Sequence, residues 1–279
     1  MTSGAQRCRN MTILLVCTLL LACLMGCASS GQPSSGSAQA SSQAAESNEI
    51  IGIIGAMDVE VEHLKSEASI QNTTKIADME FCQGILEGKR VVIVKCGMGK
   101  VNAGICAHTL INAFNCTKII NTGVAGSLDG SIDIGDFVVS TDAVQHDFDV
   151  KPIGFAKGEI PYTGLSAFPA DEKLRAIAVN ALHEAAPEIH AFEGRVCTGD
   201  QFIATQEQKD AITSNFGGLC CEMEGGAIAQ TCYLNKIPFV IIRAISDKPG
   251  ETGTVDYKTF EAKAADRSAK LVELMIGSL

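Results

Sequence analysis

Four acids and one arginine stand where apolar runs of this chain give way to glycine or polar turns. Glu60 lies in GAMDVEVEHLK, just after EIIGIIGAM; Glu222 and Glu224 lie in CEMEGGAIAQ; Arg243 and Asp247 lie in RAISDKPG. Carboxyl groups at such places can divide acid–base work, one kept protonated by burial and another ionised. Each position also has a plain structural reading. Asp58, Glu60 and Glu62 alternate, so a strand would show all three on one face. A helix starting after the strand-end turn instead puts Asp58 and Glu62 on a solvated face, as acids favoured near a helix start. Glu60 then points roughly 160° away, toward the interior. Glu224 serves equally as an acid at a helix N-terminus, and Glu222 and Glu224 share a face if the segment is a strand. Asp247 either caps the turn that Pro249 and Gly250 force, or presents a buried carboxyl group.

The elements that must hold these residues are short apolar, β-branched runs: EIIGIIGA, RVVIVKCG, KIINTGVAG, IGDFVVST, RVCTGDQF, GLCCEM and PFVIIRAIS. Runs apolar on both alternate sets are strands covered on both faces. Between them, helical patterns are predicted at 100–114, 171–186 (with Asp171 as N-cap), 206–215, 224–235 and 257–276. In the first of these, Val101, Ile105, Leu110 and Phe114 are expected to lie near one another. The alternation predicts an α/β fold with a mixed, largely parallel sheet flanked by helices. Ligands of such sheets bind beyond the carboxyl ends of strands, which selects GAMDVE, NTGVAGS, CTGDQF, CEMEGG and RAISD. GIIGAM lacks the GxGxxG spacing, and no acid near position 75 is placed to hold a ribose, so a dinucleotide cofactor is not indicated.

The amino-terminal residues 1–27 read as an export leader: Arg7 and Arg9, an apolar stretch from Met11 to Met25, then Gly26 and Cys27. The LMGC ending resembles a bacterial lipobox, with Cys27 as the lipidated residue anchoring the chain to the membrane outside the cytoplasm. Residues 28–48, mostly Ser, Ala, Gly and Gln, are expected to form a flexible spacer. Residues 49–279 then make one domain. Removing the leader takes away two cations and no acid, moving the formal charge from −10 to about −12. That balance argues against nucleic acid as a partner. The eight domain cysteines form no paired CxxC motifs, which argues against a zinc site. Most sit in apolar patterns as small hydrophobes, and free thiols are expected.

Together, IGIIGAM-x-x-E, CGMGKVNAG, NTGVAG, VCTGDQFI, EMEGGAIAQ and RAISD, in that order from Ile51 onward, resemble the 5′-methylthioadenosine/S-adenosylhomocysteine nucleosidases of the purine nucleoside phosphorylase-like superfamily. The resemblance implies a three-layer nucleoside phosphorylase/hydrolase-like sandwich that cleaves the N-glycosidic bond of adenine thionucleosides, with 5′-deoxyadenosine a further candidate. It implies no cofactor and no metal. By the same resemblance, Asp247 protonates adenine at N7, Glu60 deprotonates the attacking water, and Glu224 takes the ribose hydroxyls. Arg243 helps hold the water and the carboxylates, while Met223 lines the ribose and Gly126 belongs to the substrate site. Phe202 stacks on adenine, and Ile203 reads its edge through the backbone. Met57 and Tyr257 meet the 5′ substituent, joined by Met98, Val150, Ile153, Phe155 and Pro161 from the second subunit of a homodimer. Tyr257, Ile153 and Val124 depart from residues common in relatives, which bears on 5′ preference rather than on the chemistry.

Three other readings compete. A phosphorylase of the same superfamily needs a phosphate site, and three acids with no arginine in the first loop disfavour one. A futalosine-type hydrolase differs only in its 5′ pocket. A nucleoside-binding lipoprotein without turnover suits the anchor, but leaves Glu60, Glu224 and Asp247 together unexplained.

Overall fold

The computed structural model describes residues 49–250 and 253–279; the leader, Cys27 and the 28–48 spacer lie outside the described residues. Strand β1 (Ile51–Gly55) leads into helix α1 (Asp58–Glu67), then β2 (Ser69–Ile76), β3 (Met79–Leu86) and β4 (Lys89–Lys95). Helix α2 (Lys100–Ala113), β5 (Lys118–Ser127), β6 (Phe137–Gln145) and a 3₁₀ turn at Lys151–Ile153 follow. The rest is β7 (Ala167–Pro169), α3 (Glu172–Ala185), β8 (Ala191–Thr198), α4 (Gln206–Phe216), β9 (Cys220–Glu222), α5 (Gly225–Asn235), β10 (Phe239–Asp247) and α6 (Gly253–Ser278). Among the described residues, no helix is long and apolar enough to cross a membrane.

All ten strands join one sheet in the order β10-β6-β8-β9-β5-β1-β4-β3-β2, with β7 on β6. β10 also pairs with β5, so β10, β6, β8, β9 and β5 close into a ring. Every residue of β1 and of β10 is buried, as expected of strands flanked on both edges and both faces, and in β10 this includes Arg243, Ser246 and Asp247. The sheet is mixed, with antiparallel pairings as numerous as parallel ones. Helices α1, α3 and α6 cover one face through Val61, Leu64, Leu174, Ala178, Val272 and Met275. Helices α2 and α5 cover the other through Ala103, Cys106, Leu110, Ile228 and Cys232.

Asp171 does cap α3, its carboxylate accepting the Leu174 N–H at 2.9 Å. Two expectations need correcting. Strands β2, β3 and β7 were not predicted; β2 is an edge strand, SIQNTTKI, with no buried residue and no apolar alternation to reveal it. In α2 the buried face is the small-residue set Ala103, Cys106, Ala107, Thr109 and Leu110. Val101 and Ile105 are instead 73% and 43% exposed. Small side chains let α2 lie close to α5, and the two large β-branched ones are left facing outward.

Candidate active site

Because the ring closes, segments from distant parts of the chain reach one concave cleft. The turn after β1 supplies Ala56, Met57 and, one turn into α1, Glu60. The end of β5 supplies Val124, Ala125 and Gly126. Gln201, Phe202 and Ile203 come from the loop after β8, Cys221 to Glu224 from the β9–α5 junction, and Ser246 and Asp247 from the end of β10. Met98 and Tyr257 complete the wall.

Glu60 is buried while Asp58 and Glu62 on the same helix are exposed. As the third residue of α1 it reaches back to the chain that enters the helix. One carboxylate oxygen accepts the Ala56 N–H at 2.6 Å and the Met57 N–H at 2.9 Å; the other accepts the Val124 N–H at 3.1 Å. Gly123 allows this approach, since a Cβ there would lie 2.5 Å from Glu60 Oε1. Burial pushes the Glu60 carboxyl up, opposed by the Arg243 charge and the three amides, and the net direction is upward.

Asp247 is lifted by burial from 3.8 to about 6, with the Ser246 hydroxyl pulling the other way and Asp256 adding to the rise. Its Oδ1 accepts that hydroxyl at 2.7 Å, so a carboxyl oxygen remains for the cleft. Glu224 accepts the Gly99 N–H at 2.8 Å. Burial first and the nearby Glu222 charge second push it up to about 8.

Arg243 does not line the cleft. It is 2% exposed beneath it, with Nη2 on Glu222 Oε2 at 2.5 Å and on Asn121 Oδ1 at 2.6 Å. Glu222 also accepts from the Thr198 hydroxyl and from the Glu224 and Gly225 amides at 3.1 and 2.7 Å. Arg243 therefore fixes the carboxylate framework from behind, and its charge reaches Glu60 and Glu224 through space. Of this set, Glu222 was singled out in the sequence only as an acid that could share a face with Glu224; Asn121, Thr198 and the pairing with Arg243 were not identified. The motifs that contain these residues, CEMEGG, NTGVAG and VCTGDQF, were the available signal.

Met98 requires another correction. Assigned in the sequence to the second subunit's contribution, it lines the cleft of its own chain, because the turn after β4 is bonded to the turn after β1, the Gly97 N–H donating to the Ala56 carbonyl at 3.1 Å, and to Glu224 through the Gly99 N–H. Val150, Ile153, Phe155 and Pro161 lie between β6 and β7 and do not line this cleft. Phe202 meets Tyr257 edge-on at 5.2 Å between ring centroids, and the Tyr257 hydroxyl lies 3.5 Å from the Met57 sulfur. Ile203 is buried. The eight described cysteines are buried and unpaired. The acids nearest the first strand also need revision as an argument against phosphate, since Asp58 and Glu62 face solvent. The lining itself takes over that argument. Glu60, Glu222, Glu224 and Asp247 contribute to it, and among the described residues no lysine or arginine does.

The model of the phosphorylase superfamily matches residues 50–277. A 5′-methylthioadenosine/S-adenosylhomocysteine nucleosidase of Psychromonas ingrahamii is 41% identical over 230 residues, covering 82% of this chain and 99% of that protein. The structure of such a nucleosidase from Neisseria meningitidis in complex with methylthio-immucillin-A superposes with a TM-score of 0.80 at 34% identity, covering 83% of this chain and all of that one. Futalosine hydrolase of Helicobacter pylori superposes with a TM-score of 0.79 at 30% identity, covering 83% and 98%.

Proposed function

This chain belongs to the phosphorylase superfamily and, within it, to the 5′-methylthioadenosine/S-adenosylhomocysteine nucleosidases, and we propose how its cleft hydrolyses the N-glycosidic bond of those nucleosides. The observation that carries the reading is a pair of carboxyl groups with unlike partners, three amides on Glu60 and one hydroxyl on Asp247, in a cleft that no lysine or arginine lines among the described residues.

Asp247, raised to about 6 with one oxygen occupied by Ser246, donates its proton to N7 of adenine. The C1′–N9 bond breaks with its electron pair going to the base, which leaves neutral. Positive charge develops at C1′ and the ring oxygen. Glu60, whose ionised form three amides and the Arg243 charge favour against the upward push of burial, accepts a proton as water adds its oxygen to C1′. The division of labour is that of a glycosidase pair, one acid and one base kept apart by environment. Glu224 receives the ribose 2′- and 3′-hydroxyls. Burial and the Glu222 charge push its carboxyl up to about 8, so donated hydroxyls and the ribosyl cation both draw it to the ionised form. That Coulomb gain is largest in the transition state, where it accelerates the reaction. Phe202 and Ile203 hold the base, Met223 lines the ribose, and Met57, Met98 and Tyr257 face the 5′ substituent.

Hydrolysis rather than phosphorolysis is favoured by the lining, which among the described residues offers no lysine or arginine to bind phosphate. Release of the purine base from a panel of 5′-methylthioadenosine, S-adenosylhomocysteine, 5′-deoxyadenosine and futalosine, adenine from the first three and hypoxanthine from the last, with and without phosphate, tests this. Adenine and the free thioribose should form without phosphate; formation of ribose-1-phosphate would refute the assignment.

The same reading includes a homodimer. Met98, Val101 and Ile105 form an exposed apolar stripe from the cleft mouth along α2, and Ile153 is 71% exposed on the β6–β7 segment. Burying these in a partner would let Val150, Ile153, Phe155 and Pro161 complete the partner's 5′ pocket. Changing Val101 and Ile105 to Glu should give monomers by light scattering and weaken binding; a dimer unchanged by both would count against it. For placement, the sequence of residues 1–48 supports a lipid anchor at Cys27 and scavenging of thionucleosides outside the cytoplasm. Protease added to intact cells should then digest the domain, and complete protection would rule the placement out.

A further inference from the structure

Three loops meet at the cleft mouth through Lys100, Asp147 and Asp200, which the hydrolytic mechanism leaves without a role. Lys100 Nζ contacts Asp147 Oδ1 at 2.6 Å, and each of the two side chains is 17% exposed. The other Asp147 oxygen accepts the Asp200 N–H at 2.9 Å. Asp200 Oδ1 in turn accepts the Lys100 backbone N–H at 2.8 Å, and its Oδ2 stands 4.0 Å from Nζ. The cycle closes on itself. Each member belongs to a different segment: the glycine turn that opens α2, the segment after β6, and the loop after β8.

The glycine turn joins the cycle to Glu224. Gly99 at φ +97° is in a conformation that glycine adopts without strain. Its N–H donates to Glu224, and the next amide, of Lys100, donates to Asp200. Two successive amides at the start of α2 therefore hold two carboxylates of different function, helped by the positive end of the helix. Asp200 also lies two residues before Phe202. Asp147, Asp200 and Glu224 crowd this helix start, and Lys100 is the cation of the cycle. Asp147 is raised by burial but lowered more by Lys100 and the Asp200 amide, giving a net downward shift.

We propose that Lys100, Asp147 and Asp200 are positioning residues: a charged clamp that fixes Glu224 against the ribose hydroxyls and sets the Phe202 loop over the base. The inference rests on the ribose role proposed for Glu224. Without the lysine charge, the two aspartates face each other unneutralised, and the loop after β8 moves away from the glycine turn. The amide that holds Glu224 then loses its fixed direction.

The test is non-additivity between the clamp and the hydroxyls it serves. Values of kcat/KM are measured for wild type, Lys100→Met and Lys100→Arg on 5′-methylthioadenosine and on its 3′-deoxy analogue. Lys100→Met should lower kcat/KM on the parent about tenfold to a hundredfold, the range of a lost charge-assisted contact. On the analogue the loss should shrink to about threefold, because Glu224 has one hydroxyl fewer to hold. Lys100→Arg, which keeps charge and donors, should recover most of the parent activity. Equal losses on both substrates, or no loss on either, overturn the clamp. Should Lys100→Met fail to fold, Asp147→Asn, which keeps an acceptor for the Asp200 amide, is read the same way. A wild type inactive on the parent would overturn the hydrolase reading and this inference with it, whereas equal losses in an active enzyme overturn the clamp alone.

Discussion

Asp247→Asn probes the proposed acid through a measurement that needs no substrate. Burial lifts this carboxyl from 3.8 to about 6, against the pull of the Ser246 hydroxyl. The unfolded chain ionises near the lower value and the folded chain near the higher one, so between them the native state holds more protons. Stability contributed by the protonated group is complete below about pH 4. It is lost as pH rises through about 6, and the loss is constant above that. At about 1.4 kcal/mol per pKa unit, the total is about 3 kcal/mol. Asparagine has nearly the same shape, keeps an oxygen for the Ser246 hydroxyl, and does not ionise. The stability of the variant relative to wild type should therefore rise by about 3 kcal/mol from pH 4 to pH 7.5. Urea unfolding at intervals of half a pH unit measures it, with most of the rise below pH 6.5. Turnover of the same variant should fall by about 10² or more. A stability difference that does not change with pH, or one that favours wild type increasingly as pH rises, would refute the argument for a buried, proton-holding Asp247.

Glu60→Gln should lower kcat by about 10² or more while substrate analogues still bind, because the amide cannot take a proton from water. Exposed Glu62→Gln on the same helix serves as the control and should leave kcat unchanged. The pH profile of kcat/KM should fall as pH rises above about 6, where Asp247 loses its proton, and this limb should vanish from the residual activity of Asp247→Asn. A profile flat from pH 5 to pH 9 would contradict it. Glu222→Ala strands the Arg243 guanidinium, both side chains being 2% exposed, and should cost about 3–5 kcal/mol in chemical unfolding. A loss under 1 kcal/mol would show that Arg243 is held by Asn121 and the backbone alone.

The carboxyl groups proposed as acid and base stood out in the sequence because each sits at a change of pattern, an apolar strand ending in an acid that packing does not need. Glu60 was separable from Asp58 and Glu62 by helical geometry, and the structure buries that one of the three. Glu222 was harder. Its role depends on Arg243, 21 residues away, and spacing along a chain carries no sign of that pairing. The β2–β3 hairpin escaped because a polar edge strand has no apolar period to display. Val101 and Ile105 misled for the opposite reason: apolar residues at helical spacing suggest a core face, while here the core side of α2 is built of alanine, cysteine and threonine with Leu110, the one member of the expected set that is buried in the helix. The Lys100–Asp147–Asp200 cycle joins positions as far apart as 100 residues, beyond the reach of local pattern.

The closed ring also has a consequence in time. β10 is the last strand of the chain and fits between β5, 119 to 126 in the pairing register, and β6. Until it arrives, β5 and β6 each present an unpaired edge, the kind of surface on which extended chains associate. Pairings this far apart in sequence close slowly. Asp247 arrives with that same strand, so a chain emerging amino-terminus first has no cleft until nearly all of it has been released. Truncation that reaches β10 therefore removes Asp247, the proposed proton donor, and leaves two sticky edges together. Loss of activity and loss of solubility should appear at the same truncation point.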